Sequence, residues 1–305
     1  MPIITPELAI EYLEKKNVVS IPTETVYGLA ADATSDQAVA KIYALKNRPQ
    51  FNPLIIHVAS IETVQEWAYV SKFSIELMEE FWIKRHASIS FVLQLKNNHP
   101  LSLLALAGLE TVAVRRPNHP IALNILNHLS FPLAAPSANQ SNTLSTTKAD
   151  HVLKSLGDIP VVDGGICEVG LESTILDITN DEMKILRLGA VTENDLKPFG
   201  KVQLAYHGDA IKAPGMLKRH YAPKIPLRMN ILEKEPKMAL LGFGDCPGAD
   251  LNLSISGNLN EAAANLFNYL HQLDNTSFSS IGVNPIPNEG VGQAINDRLN
   301  RACEG

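Results

Sequence analysis

The chain has 305 residues, 26 Lys plus Arg against 32 Asp plus Glu, a formal net charge of −6 and a sequence pI near 5.9. That length exceeds the usual single domain and can fill two cores, and the acidic balance excludes a protein that holds a nucleic-acid backbone by bulk positive charge. Cys167, Cys246 and Cys303 lie far apart, which excludes a disulfide framework and a cysteine-based zinc cage, and no apolar run is long enough to cross a bilayer. The first residues carry no basic region followed by an apolar stretch, so the chain is expected to be soluble, cytoplasmic and without a membrane partner.

Thr5-Pro6-Glu7 predicts a helix start, with an N-cap, a proline at the first helical position and an early acid; the helix runs to about Lys16. Val18 to Ile21 predicts a short strand that stops at Pro22, whose missing N–H cannot extend a ladder. A second helix opens at Ser35-Asp36, leaving Lys46 on its last turn and Arg48 just beyond. Leu54 to Ala59 predicts a strand with Leu54, Ile56 and Val58 on one face and Ile55 and His57 on the other.

Two helices (60–70 and 74–82) and a strand (89–95) follow. Glu110 to Arg115 predicts a strand, His119-Pro120 opens a helix to Leu129, and Phe131 to Asn139 predicts a strand ending in small polar residues. A helix over 148–156 and strands near Val161, over 172–178 and over 184–187 complete the first part. From about Leu204 to Pro226 the composition turns to Gly, Pro, His and Lys, a segment that looks built to dock on something rather than to act as a pure spacer. Beyond it, a strand (237–243), a helix (260–273), a strand (279–283) and a helix (291–302) predict a compact βαβα unit.

Six predicted strand ends carry hydroxyls, amides and cations, around Thr25, Lys46 with Arg48, Thr111 with Arg115, Ser137 with Asn139, Ser173 and Arg187. Each is unremarkable alone, since cations at a helix C-terminus are favoured by ~0.3–1 kcal/mol whatever their role. Their convergence predicts a site at the strand ends of an open α/β sheet. No Walker loop, dinucleotide fingerprint, metal-binding His/Cys spacing or serine elbow is present, so the pattern suits a reaction in which bound substrates attack each other under positive charge.

Pro22-Thr23-Glu24-Thr25-Val26-Tyr27-Gly28-Leu29, Lys46-x-Arg48-Pro49 with Asn52-Pro53-Leu54, Thr111-Val112-Ala113-Val114-Arg115, Ala135-Pro136-Ser137-Ala138-Asn139 and Gly170-Leu171-Glu172-Ser173-Thr174 together resemble the YrdC/Sua5 family of threonylcarbamoyl-AMP synthases. The linker and the small C-terminal unit resemble the long, Sua5-type member. The resemblance implies an α/β fold: a YrdC-like domain with a large, twisted, open mixed sheet over 1–203, a linker or lid over 204–226, and a small Rossmann-like domain over 227–305 that anchors the lid. It implies that L-threonine, bicarbonate or CO2 and ATP, with Mg2+, give threonylcarbamoyl-adenylate and pyrophosphate, and that the product passes to the machinery completing the t6A modification of tRNA.

On the matching positions, Lys46 and Arg48 are the catalytic cations. Thr25, His57, Arg115, Ala135 and Ser173 are the threonine set, with Arg115 facing the carboxylate through its planar fork. Arg48, Asn52, Thr111, Ser137, Asn139, Ser145 and Arg187 are the ATP set, and Gly215, Met216, His220 and Tyr221 belong to the lid. The chain departs from the family pattern at Trp82 to Ser90, where Trp-Pro-Gly-Pro-Leu-Thr is usual, at Ser141-Asn142 in place of Ser-Gly, and at Ala213 in place of Ser. Two further readings are a non-catalytic RNA-binding module, with direct tRNA contact left open, and a carbamoyl-transfer enzyme, whose zinc-finger Cys pairs are missing here.

Overall fold

The computed structural model describes residues 2–205, 221–275 and 277–304. Strand β1 (Ile3–Ile4) leads into α1 (Pro6–Glu14), where the Leu8 amide donates to the Thr5 hydroxyl, as the sequence predicts. Strand β2 (Val19–Ile21) ends before Pro22, and Thr23 closes a turn: its hydroxyl donates to Val26 O at 2.6 Å and accepts from the Thr25 and Val26 amides. The chain then enters β3 (Gly28–Asp32), a strand absent from the sequence reading. Its Gly and Ala residues have little intrinsic strand preference; pairing on both sides imposes the extended backbone.

Helix α2 (Asp36–Lys46) is capped by Ser35 and stops at Asn47, whose φ of 50° cannot continue it. Next come β4 (Ile55–His57), α3 (Ile61–Trp67) and α4 (Lys72–Met78), the last running into a π-helical turn over Glu79–Lys84. Then follow β5 (Ile89–Gln94), α5 (Leu103–Leu106), β6 (Thr111–Arg115) and α6 (Pro120–His128). The strand expected over Phe131 to Asn139 is reduced to β7 (Leu133–Ala134), because Pro136 cannot donate to a ladder and the chain turns there. The first part closes with α7 (Ala149–Leu156), β8 (Val161–Val162), β9 (Thr174–Asp177), β10 (Met183–Arg187), α8 (Glu193–Leu196) and β11 (Val202–Leu204).

These strands form one mixed sheet in the order β1-β8-β2-β3-β7-β4-β6-β5-β9-β10-β11. Period-two alternation gives it two faces. Leu54, Ile56, Val112, Val114, Phe91, Leu93 and Leu176 pack into the main core with α2 to α5. On the opposite face, α1 and α6 cover the β2–β3–β7 region through Leu13, Ala122, Ile125 and Leu133, and a small patch of Ile55, Val92, Ala113 and Ile175 marks the centre. The register pairs Ile55 with Ala113 and His57 with Arg115, so His57 and Arg115 share this second face.

The C-terminal part has its own four-stranded parallel sheet, built from β12 (Leu227–Met229), β13 (Met238–Gly242), β14 (Leu251–Asn252) and β15 (Ser280–Val283) in the order β12-β15-β13-β14. It carries α9 (Leu259–Leu273) and α10 (Val291–Cys303). Its core is continuous with Val26, Leu144, Leu171 and Tyr221, so it closes against the first sheet's second face. Gly170, at φ +71°, permits the close approach: a Cβ there would lie 2.5 Å from Ala263 O and 2.6 Å from Ala264 Cα. Among the described residues no helix is long and apolar enough to cross a membrane.

Candidate active site

A cavity of about 50 Å3 lies on the second face of the large sheet, walled by Arg48, Ile55, His57, Arg115, Ala135, Ser137, Glu172, Arg187 and Tyr221. It lies where β4, β6 and β10 end at His57, Arg115 and Arg187, the strand ends the sequence pointed to, and it spreads from there onto the sheet face. Ile55 and His57 on β4 and Arg115 on β6 alternate in phase, so they point across the sheet surface. A wider cavity of about 820 Å3, between α7, α9 and residues 222–224, shares no wall residue with it.

Arg115 is 4% exposed and ends β6. Its Nη2 stands 2.6 Å from Glu24 Oε1, yet neither Nη2 nor Nε makes an aligned hydrogen bond among the described residues. Buried donors without acceptors are costly, and a ligand carboxylate is the partner whose geometry suits a guanidinium fork. Glu24 is itself fixed by the Ser88 hydroxyl at 3.0 Å and the Asn118 amide at 3.1 Å.

His57 Nδ1 lies 3.2 Å from Ile55 O. A carbonyl only accepts, so Nδ1 carries the proton and Nε2 keeps its lone pair. Burial, then the Arg115 charge, pushes the imidazole down to about 3, and it is neutral near pH 7. A neutral acceptor beside a cation suits an amino acid that presents both donors and a carboxylate.

Arg48 reaches the cavity from beyond α2, its Nε donating to Asn52 O at 3.2 Å and Nη2 to Pro53 O at 2.9 Å. Arg187 at the end of β10 donates to Ser173 O from Nε at 3.0 Å and from Nη2 at 2.9 Å, and to Ser173 Oγ at 3.1 Å. Burial lowers both guanidinium pKa values to about 10, so both remain charged at neutral pH. Arg48, Arg115 and Arg187 therefore crowd one small space in which Glu172 is the one carboxylate on the wall, and the site favours an anion.

The remaining residues singled out from the sequence fall into four groups. Ala135 and Ser137 join Tyr221 on the wall. Thr25, Asn52, Asn139, Ser145 and Ser173 are buried around it: Thr25 Oγ1 is 2.8 Å from Thr23 Oγ1, Ser173 Oγ is 2.7 Å from Ser90 Oγ, Ser145 Oγ donates to Glu172, and Asn139 Nδ2 donates to Gln140 O and Thr143 O. Thr111 shares the face of Arg115 but stands four residues back along β6, on the order of 13 Å away, beyond the cavity. Gly215, Met216 and His220, like Ala213, lie outside the described residues.

Lys46 departs from its expected place. It is 1% exposed, its ammonium donates to Ser137 O and Asn139 O, and its own carbonyl accepts from Ser141 N at 2.9 Å. Burial, then Arg48, holds its pKa well below the usual lysine value. The side chain turns into the loop after β7 because those carbonyls, freed where the strand ends, need a donor. In this arrangement it shapes the loop bearing Ser137 and does not open onto the cavity.

A family model described as telomere recombination, covering Sua5, YciO and YrdC proteins, matches residues 11–189, and another, described as the C-terminal domain of threonylcarbamoyl-AMP synthase, matches residues 183–303. The chain belongs to the Sua5/YciO/YrdC family. Family relatives include a Bacillus subtilis protein named threonylcarbamoyl-AMP synthase, 35% identical, covering 97% of this chain and 92% of that one. A Pyrococcus abyssi protein of the same name is 34% identical over 97% of this chain and 93% of its own length. The crystal structure of P. abyssi Sua5 complexed with L-threonine aligns with a TM-score of 0.89 at 31% identity, covering 98% of this chain and 94% of that one.

Against the Sua5/YciO/YrdC pattern, the altered segment after Trp82 has a visible use. Trp82 Nε1 donates to Ile89 O at 2.9 Å, and the segment brings Ser88 to Glu24 and Ser90 to Ser173. Asn142, in the place of a usual glycine, has φ 70°, a region asparagine tolerates better than most residues. Glu24, Ser88, Ser90, Glu172 and Arg298 were not singled out as site residues from the sequence. Glu24 and Glu172 lie within quoted motifs, and a buried carboxylate beside a motif arginine was the available signal.

Proposed function

We propose that the protein is an L-threonylcarbamoyladenylate synthase. The observation that carries this reading is Arg115, whose buried, unaligned donors lie beside neutral His57 in the same cavity as Arg48 and Arg187. Arg115 takes the threonine carboxylate, and His57 Nε2 accepts a proton donor from the amino acid. The neutral threonine amine adds to the carbon of CO2 and gives up a proton to solvent, or condenses with bicarbonate with loss of water, and becomes a carbamate. A carbamate oxygen attacks the α-phosphorus of ATP, the bond from that phosphorus to the bridging oxygen breaks, and pyrophosphate leaves with the electron pair. Arg48 and Arg187 stabilise the charge that grows on the phosphates. No protein nucleophile is needed; the chain orients reactants and excludes water.

Mg2+ enters as part of the Mg–ATP substrate. Among the described residues no group of three or more His, Cys, Asp and Glu side chains gathers as a metal cage, and Glu172 is engaged by Ser145 and Arg298. Under this reading the first part of the chain, through β11, forms the catalytic domain, residues up to 226 link it to the C-terminal unit over 227–305, and the product goes to the enzymes that complete t6A on tRNA. The free cysteines suit a reducing cytoplasm.

The test is a pyrophosphate assay with purified protein. Release is expected only when L-threonine, bicarbonate and Mg–ATP are all present. Pyrophosphate or ADP formed at the same rate without threonine would overturn the proposal.

A further inference from the structure

Arg298 belongs to α10 of the C-terminal unit, yet it reaches the wall of the candidate active site. It is 1% exposed, and its Nε donates to Glu172 Oε2 at 3.1 Å. Its guanidinium carbon lies 5.4 Å from the centroid of the Tyr221 ring, within cation–π range. Glu172 and Tyr221 both wall the cavity; Tyr221 interacts electrostatically with Arg48 and Arg187, and Glu172 with Arg187. One side chain from the C-terminal unit thus touches two wall residues of a site built on the first sheet.

Tyr221 adopts a backbone conformation that its surroundings must hold. Its φ is 66°, in the left-handed region that a bulky residue avoids. Its ring packs 5.5 Å from Phe267 on α9, the next amide, Ala222 N, donates to Asn142 O at 2.9 Å, and the Lys224 and Ile225 amides both donate to Asp274 Oδ1. On the other side, Glu172 Oε1 accepts from Ser145. Asp297 Oδ2 sits 2.9 Å from Arg298 Nη1, which orients the guanidinium plane.

We propose that Arg298 is a positioning residue: it fixes Glu172 and the Tyr221 ring against the nucleotide side of the cavity, so that the C-terminal unit sets the affinity for Mg–ATP. The proposal rests on the synthase reading, and it separates the two substrates. The Arg115 and His57 side is braced by Glu24, Ser88 and Asn118 in turns and loops of the first part of the chain, and among the described residues none of these three bonds to Arg298. Loss of Arg298 geometry therefore loosens nucleotide binding and leaves threonine binding intact.

Arg298→Lys tests this, because lysine keeps the charge facing Glu172 but loses the planar face and the fork. Expected are a Mg–ATP KM raised about tenfold and a threonine KM within about twofold of wild type, the size of coupling usual between distant groups. Hydrogen exchange at the Ala222 amide is expected to accelerate while Leu240 in β13 and Leu299 in α10 exchange at wild-type rates. An equal shift in both KM values, no shift, or unchanged exchange at Ala222 would each overturn the proposal. If Arg298→Lys loosens α10 itself, Tyr221→Leu replaces it and must show the same ATP-selective split. Should the wild type release no pyrophosphate, the synthase reading fails. Calorimetric Mg–ATP affinity together with Ala222 exchange then still decides the role of Arg298.

Discussion

Arg115 and Lys46 are buried to nearly the same depth, 4% and 1% exposed, yet their donors end in different places. Arg115 rises from a strand whose alternation aims it across the sheet face, and two of its nitrogens meet no aligned acceptor among the described residues. Lys46 leaves the end of α2 and meets two backbone carbonyls of the loop after β7. Arg115 is ion-paired with Glu24 but keeps donors out of line with it, which a ligand can take; Lys46 is matched by backbone carbonyls and serves the fold. Burial alone does not separate the two, and the destination of each donor does.

The comparison is tested hardest at Arg115. Arg115→Met is expected to lower kcat/KM for threonine by about a thousandfold, since truncating a buried, hydrogen-bonding charge costs roughly 2–5 kcal/mol. A loss under tenfold would break the contrast. Lys46→Met should act on stability, removing the donor from two buried carbonyls at a cost of about 3 kcal/mol in urea unfolding. An unchanged urea midpoint would return Lys46 to the catalytic role expected from the sequence.

Smaller effects come from protons. His57 and His151 are both pushed down to about 3, in each case first by burial. Each is therefore neutral in the folded chain while its unfolded counterpart binds a proton below about pH 6.5. The unfolded state holds more protons across that window, so stability is complete above about pH 6.5 and falls as pH drops toward 3. Between pH 7 and pH 5 each imidazole accounts for about 2 kcal/mol, and His57→Asn should flatten the pH dependence of the urea midpoint by one such step. An unaltered slope would mean that His57 is already protonated in the folded state.

Much of the fold was legible because its longer elements carry their own signals. The helix beginning at Pro6, the cap at Ser35, the alternation along β4 and both C-terminal helices follow from spacing and capping residues near in sequence. The two-residue strands β1, β7, β8 and β14 depend on partners distant in sequence, and only β8 and a shortened β7 were foreseen. The motif residues were legible as a set, and His57, Arg115, Arg48 and Arg187 do converge. That His57 and Arg115 share one sheet face was not, because it depends on the register that joins β4 to β6. The direction of Lys46 was equally hidden: it depends on a loop nearly a hundred residues away.

Gly170 has a consequence for how the two halves of the molecule come to fit. Its bare backbone meets Ala263 and Ala264, within an alanine run, Ala262-Ala263-Ala264, on α9. Notch and run act as a key: the C-terminal half seats only where both sides omit bulk. A transplanted C-terminal half from another chain will dock in register if it brings residues as small at those positions. Otherwise it will ride up, and carry Phe267 away from the Tyr221 ring.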